Sequence, residues 1–223
     1  MKTDKAPGSP ATLSKLWHGT VAFGFRLLYN ELAWLYDPVS WLTSFGLWRR
    51  WQGTVHRYLP PEGRLLEVAC GPGHLLVELA QAEYQVMGLD LSQAMVRQAQ
   101  HRITGQGFAN PVCRGRVQAL PFGNESFAAI IATFPTTYIY DPDCLCEMAR
   151  TLDRNGRLIV VESATLHHHN LTSRWLEWLY RITGQRGPGP DLPTLLEAEG
   201  LQARHEAIAV EESTAHLVIA EKD

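Results

Sequence analysis

Residues 64–74, RLLEVACGPGH, join a short run of apolar side chains to a turn built from small residues. The apolar run predicts a buried strand, and HLLVELAQA after the turn predicts a helix. Gly71 and Gly73 have no side chains, so a ligand can lie against the backbone of the turn. A helix N-terminus offers N–H groups without intrahelical partners and a partial positive charge, which suit a carboxylate or a phosphate. This segment therefore predicts a strand–turn–helix unit that binds an anionic group.

A second predicted strand, VMGLD, ends at Asp90, where a carboxylate is well placed to bind two ribose hydroxyls. The turn and the acid together predict a cofactor that contains a nucleoside. The third glycine of a dinucleotide fingerprint is replaced by Leu76, and the G-K-[ST] of a phosphate-binding loop is absent. Glu67 would repel a pyrophosphate but attract the α-ammonium of a methionine moiety, whose carboxylate the turn can take. These charges fit S-adenosylmethionine (SAM) and fit NAD poorly.

Strands and helices are predicted to alternate through the middle of the chain, which indicates right-handed βαβ crossovers and a parallel sheet. Two final strands are predicted to pair as an antiparallel hairpin. The predicted fold is therefore a Rossmann-like, doubly wound α/β sheet of seven strands. The strands are predicted at 64–69, 85–90, 112–117, 127–133, 157–162, 203–211 and 214–221, and the helices at 73–82, 92–104, 141–152 and 191–200.

The predicted alternation of strands and helices is absent before the core and is interrupted once within it. Residues 1–12 are predicted to be a disordered tail, and residues 13–58 an aromatic helical cap with five of the seven tryptophans. Residues 59–223 form the predicted cofactor-binding domain, within which 165–190 is an irregular insertion. The cap and the insertion are expected to cover the carboxyl edge of the sheet and to select the substrate.

Charge and cysteine content exclude several functional classes. Twenty basic and 23 acidic residues give a net charge of −3 without a block of like charges, which argues against nucleic-acid binding. The four cysteines lack the paired spacing of a metal site or a disulfide framework. No apolar run reaches the roughly 18 residues of a membrane span, and MKTDKAPGSP is too polar for a signal peptide. We expect a cytoplasmic protein that is either soluble or peripheral at a membrane. The oligomeric state is left open, with a homo-oligomer as one alternative.

The motifs together resemble the class I SAM-dependent methyltransferases, most of all their ubiquinone/menaquinone-biosynthesis branch. The family's acid-x-G-x-G-x-G motif is matched from Glu67 to Gly73, with Ala69 at the first glycine. The family's G-D-A-x-x-L-P-F segment is present as GRVQALPF at 115–122, and its D-x-S-F-D as NESFA at 124–128. A leading segment similar to the family's R-Y-D…S-F-G-x-x-R-x-W is present as YD at 36–37 and SFGLWRRW at 44–51.

The resemblance implies SAM as the cofactor and a small, lipophilic acceptor such as a quinone precursor. Arg116 stands where the family has an acid that accepts a hydrogen bond from adenine; because arginine has no acceptor, it would stack over the purine or face solvent. Other acceptors stay open, namely a phospholipid headgroup amine or a secondary metabolite methylated on oxygen or nitrogen, as does an inactive SAM-binding partner subunit. The predicted cofactor residues are Tyr36, Glu67, Ala69, Cys70, Gly71, Gly73, Asp90, Leu91, Met95, Arg116, Val117, Thr133 and Phe134.

The candidates for catalysis are Tyr138, Tyr140, His167 and His168, but none is singled out, because SAM is already activated and a general base is optional. Three consecutive histidines cannot all converge on one ion, so 167–169 predicts no metal site. They are either a loop at the mouth of the site or proton acceptors near neutral pH. Strand alternation would place the two tyrosines on one face, as pocket walls or catalytic groups. The aromatic cap either meets a membrane interface or packs on the protein's own core or a dimer partner.

Overall fold

The computed structural model describes Pro38 and residues 46–109, 111–167 and 190–223. The strands are β1 Arg64–Val68, β2 Gln85–Asp90, β3 Val112–Arg114, β4 Phe127–Thr133, β5 Leu152–Leu166, β6 Leu201–Val210 and β7 Ser213–Lys222. The α-helices are α1 Leu47–Gln52, α2 His74–Gln81, α3 Gln93–Gly105, α4 Pro142–Thr151 and α5 Leu192–Ala198. Two 3₁₀ segments span Gly53–Arg57 and Thr137–Tyr140.

These strands form one seven-stranded sheet in the order β3-β2-β1-β4-β5-β7-β6. The first five strands of that order are parallel, whereas β7 pairs antiparallel with both β5 and β6. The predicted fold class is therefore confirmed. The strand order reverses between β1 and β4, and ligands of open α/β sheets bind outside the carboxyl ends of the strands at such a switch point. The turn after β1 stands at that point.

The sheet is covered on both faces, and adjacent residues of β1 belong to different cores. Leu65 packs with Trp51 and the helices α2 and α3 on one face, whereas Leu66 packs with α4 and α5 on the other. Because strand side chains alternate, Glu67 points to the same face as Leu65. The β1 acid thus lies on the side of the sheet that α1, α2 and α3 cover.

Two strands differ from their predicted bounds by three residues or more. Strand β3 ends at Arg114 because Arg116 turns back and pairs with Ala119 in a local bridge. Strand β5 is longer at both ends: its start pairs with Phe127, and its last residue, Leu166, pairs with Ser213 of β7. The antiparallel partner thus extends β5 beyond the parallel part of the sheet, so residues 165 and 166 are strand rather than insertion.

The cap and the insertion are described only in part. Of residues 13–58 the structure describes Pro38 and 46–58, which include α1 and the first 3₁₀ segment. Residues 1–12, Tyr36, His168 and most of the predicted insertion lie outside the described residues. Within the described part of the chain, no helix is long and apolar enough to cross a membrane.

Candidate functional site

The turn after β1 bends through three left-handed residues, Ala69 (φ 51°), Gly71 (φ 53°) and Gly73 (φ 78°). A Cβ on Gly71 would meet no heavy atom within 4 Å, whereas a Cβ on Gly73 would lie 2.8 Å from the Cβ of Ala99 in α3. Gly71 therefore leaves space for a ligand, and Gly73 lacks a side chain because α3 packs against it. At Ala69 an alanine takes a conformation that favours glycine, which costs about 1–2 kcal/mol.

Most N–H groups of this turn are used within the protein. Cys70 donates to the Leu89 carbonyl at 3.1 Å and Gly73 to the Cys70 carbonyl at 3.1 Å. The Gly71 N–H donates to Asp90 Oδ2 at 2.9 Å. Donors for a ligand carboxylate would therefore come from the first turn of α2, where N–H groups have no intrahelical acceptor, rather than from the glycine turn itself.

Glu67 is a buried carboxyl group at the end of β1. The residue is 1% exposed, and its Oε2 has no hydrogen-bond partner among the described residues. Burial raises the pKa of Glu67 well above its ordinary value, and the negative charges of Asp90 and Glu78 raise it further. Because an unpaired buried carboxylate is costly, a cationic ligand group at this position would be strongly favoured.

Asp90 joins the ends of β1 and β2. Its Oδ1 accepts from the Ser92 N–H at 2.8 Å, and its Oδ2 accepts from the Gly71 N–H. Burial raises the pKa of Asp90, and the backbone N–H groups of Ser92, Gly71 and Leu91 oppose that rise. These donors do not exhaust the roughly four lone-pair positions of a carboxylate, so Asp90 keeps acceptor capacity for ligand hydroxyls.

The other predicted residues near β2 and β3 differ in access. Leu91 is 61% exposed and is the only large hydrophobic side chain in the described part of the chain that is this open. Arg116 is also exposed, whereas the side chains of Val117, Cys70 and Met95 are buried. The Cys70 thiol has a pKa well above its ordinary value, mainly because it is buried. Leu91 and Arg116 can therefore reach a ligand, while Met95 and Cys70 are closed to one in this conformation.

The helix α1 packs directly on the carboxyl end of β4. Trp48 stacks on Phe134 with ring centroids 4.0 Å apart, and the Gln52 amide donates to Thr133 Oγ1 at 2.8 Å. Phe134 itself has a left-handed φ of 49°. Neither Trp48 nor Gln52 is among the predicted site residues, because contacts to residues this distant along the chain leave no local pattern. Part of the aromatic cap thus borders the two predicted residues at the end of β4.

Comparison with known proteins agrees with this geometry. A family model described as a methyltransferase domain matches residues 65–156. A demethylmenaquinone methyltransferase from Corynebacterium efficiens is 30% identical over 163 residues, which cover 72% of this chain and 68% of that protein. The chain belongs to the class I SAM-dependent methyltransferases. The predicted family is confirmed, and so is the predicted cofactor, since SAM is the cofactor of the family.

Two further relatives define how far the likeness extends. A ubiquinone/menaquinone biosynthesis C-methyltransferase from Geobacter sulfurreducens is 28% identical over 148 residues, which are 63% of this chain and 58% of that protein. The chain thus spans less than two thirds of this relative. A phosphoethanolamine N-methyltransferase from Haemonchus contortus, solved with SAM, has a TM-score of 0.60 at 14% identity, covering 78% of this chain and 52% of that one. At that identity the likeness supports the fold.

In this member of the family, Tyr138 and Tyr140 lie in the 3₁₀ segment after β4, not in a strand. The strand alternation expected for these two residues is therefore absent, because a 3₁₀ helix has three residues per turn. Both rings are partly buried against the core on the α4–α5 face. Burial raises the pKa of Tyr140, and the charge of Glu162 raises it further.

His167 lies just beyond β5, on the same edge of the sheet. Its N–H donates to the Glu212 carbonyl at 2.9 Å, and its Nε2 lies 2.7 Å from Thr214 Oγ1. The imidazole is exposed and is held against the start of β7. His167 therefore stays a candidate for catalysis by position, while His168 lies outside the described residues.

Proposed function

We propose that the protein transfers the methyl group of SAM to a lipophilic phenolic acceptor, of which a quinone precursor in its quinol form is the best candidate. The names of the Corynebacterium and Geobacter relatives support this acceptor class. The aromatic helix α1, which packs on the end of β4 through Trp48, supports a lipophilic acceptor beside the cofactor.

The observation that carries the methyl-donor half of the proposal is the buried Glu67 carboxyl, with one oxygen that no described residue satisfies. Glu67 would hold the ammonium group of SAM, and Asp90 would hold its ribose hydroxyls. Gly71 would allow the cofactor to approach the backbone. SAM supplies a methyl group on a positively charged sulfur, so the protein's main tasks are to align the reactants and exclude water. Trp48 and Phe134 would exclude water at the end of β4.

Binding of the demethylated product, S-adenosylhomocysteine, tests the donor half. Glu67→Gln should weaken its affinity roughly 10- to 100-fold, since a hydrogen bond to a charged group contributes about 1.5–3 kcal/mol. Glu62→Gln is the matched control, because it makes the same substitution five residues upstream at an exposed position and should leave affinity unchanged. Calorimetry in two buffers of different ionisation enthalpy should also show proton release by wild-type protein, which Glu67→Gln removes. Equal affinities of both variants would contradict the Glu67 assignment.

Methyl transfer tests the acceptor half. The protein is incubated with methyl-labelled SAM and a short-chain demethylmenaquinol kept reduced, and the product is identified by mass spectrometry. A methyl group on the quinol ring supports the proposal. A methylated phospholipid amine or a methylated secondary metabolite from an extract would replace it. Tight S-adenosylhomocysteine binding without product from either source would instead indicate an inactive partner subunit.

We further propose that residues 13–58 act as the acceptor-selecting cap and that this cap meets a membrane surface where lipophilic acceptors reside. The stacking of Trp48 on Phe134 supports the first part, since it joins the cap to the edge of the site. Sedimentation of the full chain with neutral and anionic liposomes tests the second part. Absence of co-sedimentation together with full activity on a water-soluble quinol would show that the cap packs on the protein alone.

A further inference from the structure

Glu162 occupies an irregular position in β5, where the parallel pairing of this strand ends. Thr133, the last residue of β4, pairs with Val161, so Glu162 is the first residue beyond the parallel part of the sheet. The pairing of β5 with β7 shifts register between Val161 and Ser163, which leaves Glu162 without a partner in the ladder. Bulges of this kind re-aim a side chain and occur beside active sites. The Glu162 side chain is only 22% exposed.

Two residues from other elements hold this carboxylate. His205 of β6 places Nδ1 3.8 Å from Glu162 Oε2, and its Nε2 lies 3.3 Å from Asp191 Oδ1. Asp191 is itself fixed, because it caps α5 by accepting from the N–H and the hydroxyl of Thr194 at 3.2 and 2.6 Å. A carboxylate, an imidazole and a second carboxylate thus lie in a row where the parallel part of β5 ends.

The charged groups around Glu162 come from each neighbouring element. Burial raises the pKa of Glu162, the His205 charge lowers it, and Asp191 raises it. The charge of Glu162 in turn raises the pKa of Tyr140, which lies in the 3₁₀ segment after β4. Further along β5, Thr165 Oγ1 lies 3.0 Å from Nε2 of His216 in β7. Glu162 is therefore the half-buried carboxylate of the group, one residue beyond the pairing of β5 with β4.

We propose, resting on the function proposed above, that the Glu162 carboxylate accepts the hydroxyl proton of the phenolic acceptor and that His205 positions this carboxylate. The O–H electrons stay on the acceptor oxygen, and the proton forms a carboxylic acid on Glu162. The electron pair then forms the new bond to the methyl carbon from the acceptor's oxygen or its ring carbon, while the carbon–sulfur bond breaks and its electrons remain on sulfur. A methylated ring carbon regains its aromatic state by moving its C–H proton to the oxygen. The net proton leaves Glu162 for solvent.

The first test is kinetic. Glu162→Gln should lower kcat/KM for the demethylmenaquinol about 100-fold or more, within the range for loss of a general base. Glu197→Gln is the control, since it removes one negative charge at an exposed position of α5 and should leave the rate unchanged. The wild-type rate should rise with pH through the pKa of Glu162. His205→Gln should move that rise to higher pH, because the charge interaction that lowers the pKa of Glu162 is removed. An active Glu162→Gln variant with an unaltered pH profile overturns the proposal.

The second test needs no cofactor. Binding of 1-naphthol and of naphthalene is measured by fluorescence on the cofactor-free protein. Glu162→Gln should weaken 1-naphthol binding at least five-fold and leave naphthalene binding unchanged, because only the hydroxyl reaches the carboxylate. Equal losses for both probes, or none for either, overturn the proposal. Wild-type protein that methylates no phenol would instead refute the proposed function, so the two failures are distinguishable.

Discussion

The same substitution at the two glycines of the turn after β1 should impair two different properties, ligand binding at Gly71 and stability at Gly73. Gly71→Ala places a methyl group in open space, whereas Gly73→Ala places one 2.8 Å from Ala99 Cβ and 2.9 Å from its Cα. The second contact involves backbone, so α3 must move to relieve it. We therefore expect Gly71→Ala to impair ligand binding with a small loss of stability, and Gly73→Ala to impair stability strongly.

The magnitudes follow from backbone strain and packing. Both glycines have positive φ, which costs an alanine about 1–2 kcal/mol, and the less flexible unfolded chain offsets about 0.4–1 kcal/mol of that. Gly71→Ala should therefore lower the free energy of unfolding by about 1 kcal/mol. Gly73→Ala adds overpacking of about 1–3 kcal/mol, for a total loss of about 2–4 kcal/mol. In a chain of this size, 1 kcal/mol corresponds to roughly 2–4 °C in Tm.

Chemical denaturation and S-adenosylhomocysteine calorimetry measure the two effects separately. Gly71→Ala should retain nearly all of its stability and lose at least ten-fold in affinity. Gly73→Ala should unfold at a clearly lower denaturant concentration. Under conditions where this variant is still folded, it should lose less affinity for S-adenosylhomocysteine than Gly71→Ala does. Equal destabilisation by both substitutions would refute the packing argument. Wild-type affinity in Gly71→Ala would refute the argument that a ligand fills the open space.

Three further results are expected. The raised pKa of Glu67 stabilises the ligand-free fold fully below its unfolded pKa of about 4.3, and this contribution is lost as pH rises through the folded pKa. Glu67→Gln should therefore gain stability relative to wild type as the pH rises above about 4.3, which denaturation curves measure. A stability difference that does not change with pH would contradict this expectation. Asp90→Ala should weaken S-adenosylhomocysteine binding at least ten-fold and cost about 1–3 kcal/mol of stability, because the Gly71 N–H loses its acceptor; unchanged calorimetric affinity would oppose this. Trp51→Phe should lower the free energy of unfolding by about 1–3 kcal/mol in denaturation curves, since it removes the buried hydrogen bond from Trp51 Nε1 to Ser213 Oγ at 2.9 Å. An unchanged free energy of unfolding would show that this hydrogen bond contributes nothing to stability.

The sequence by itself determined the parts of the protein that depend on neighbours in the chain. A strand, a glycine turn and a helix within residues 64–82 are set by apolar periodicity and backbone freedom, and Asp90 by its place at the end of the next strand. The charge of Glu67 at the same turn distinguished a methionine-containing cofactor from a dinucleotide. Each of these inferences needs only residues a few positions apart, or strands whose carboxyl ends meet at one edge of a parallel sheet.

Tertiary structure alone decided which features of the site face a ligand. Gly71 and Gly73 look alike in the sequence, and only the position of Ala99 in α3 separates their roles. A 3₁₀ segment at Tyr138 and Tyr140 stands where strand-like alternation was expected, and antiparallel pairing with β7 extends β5 to Leu166. Glu162 meets His205 only because β6 and β7 fold back beside β5. Contacts of this kind join residues far apart in the chain, so they depend on how the elements pack and leave no periodicity or spacing to read.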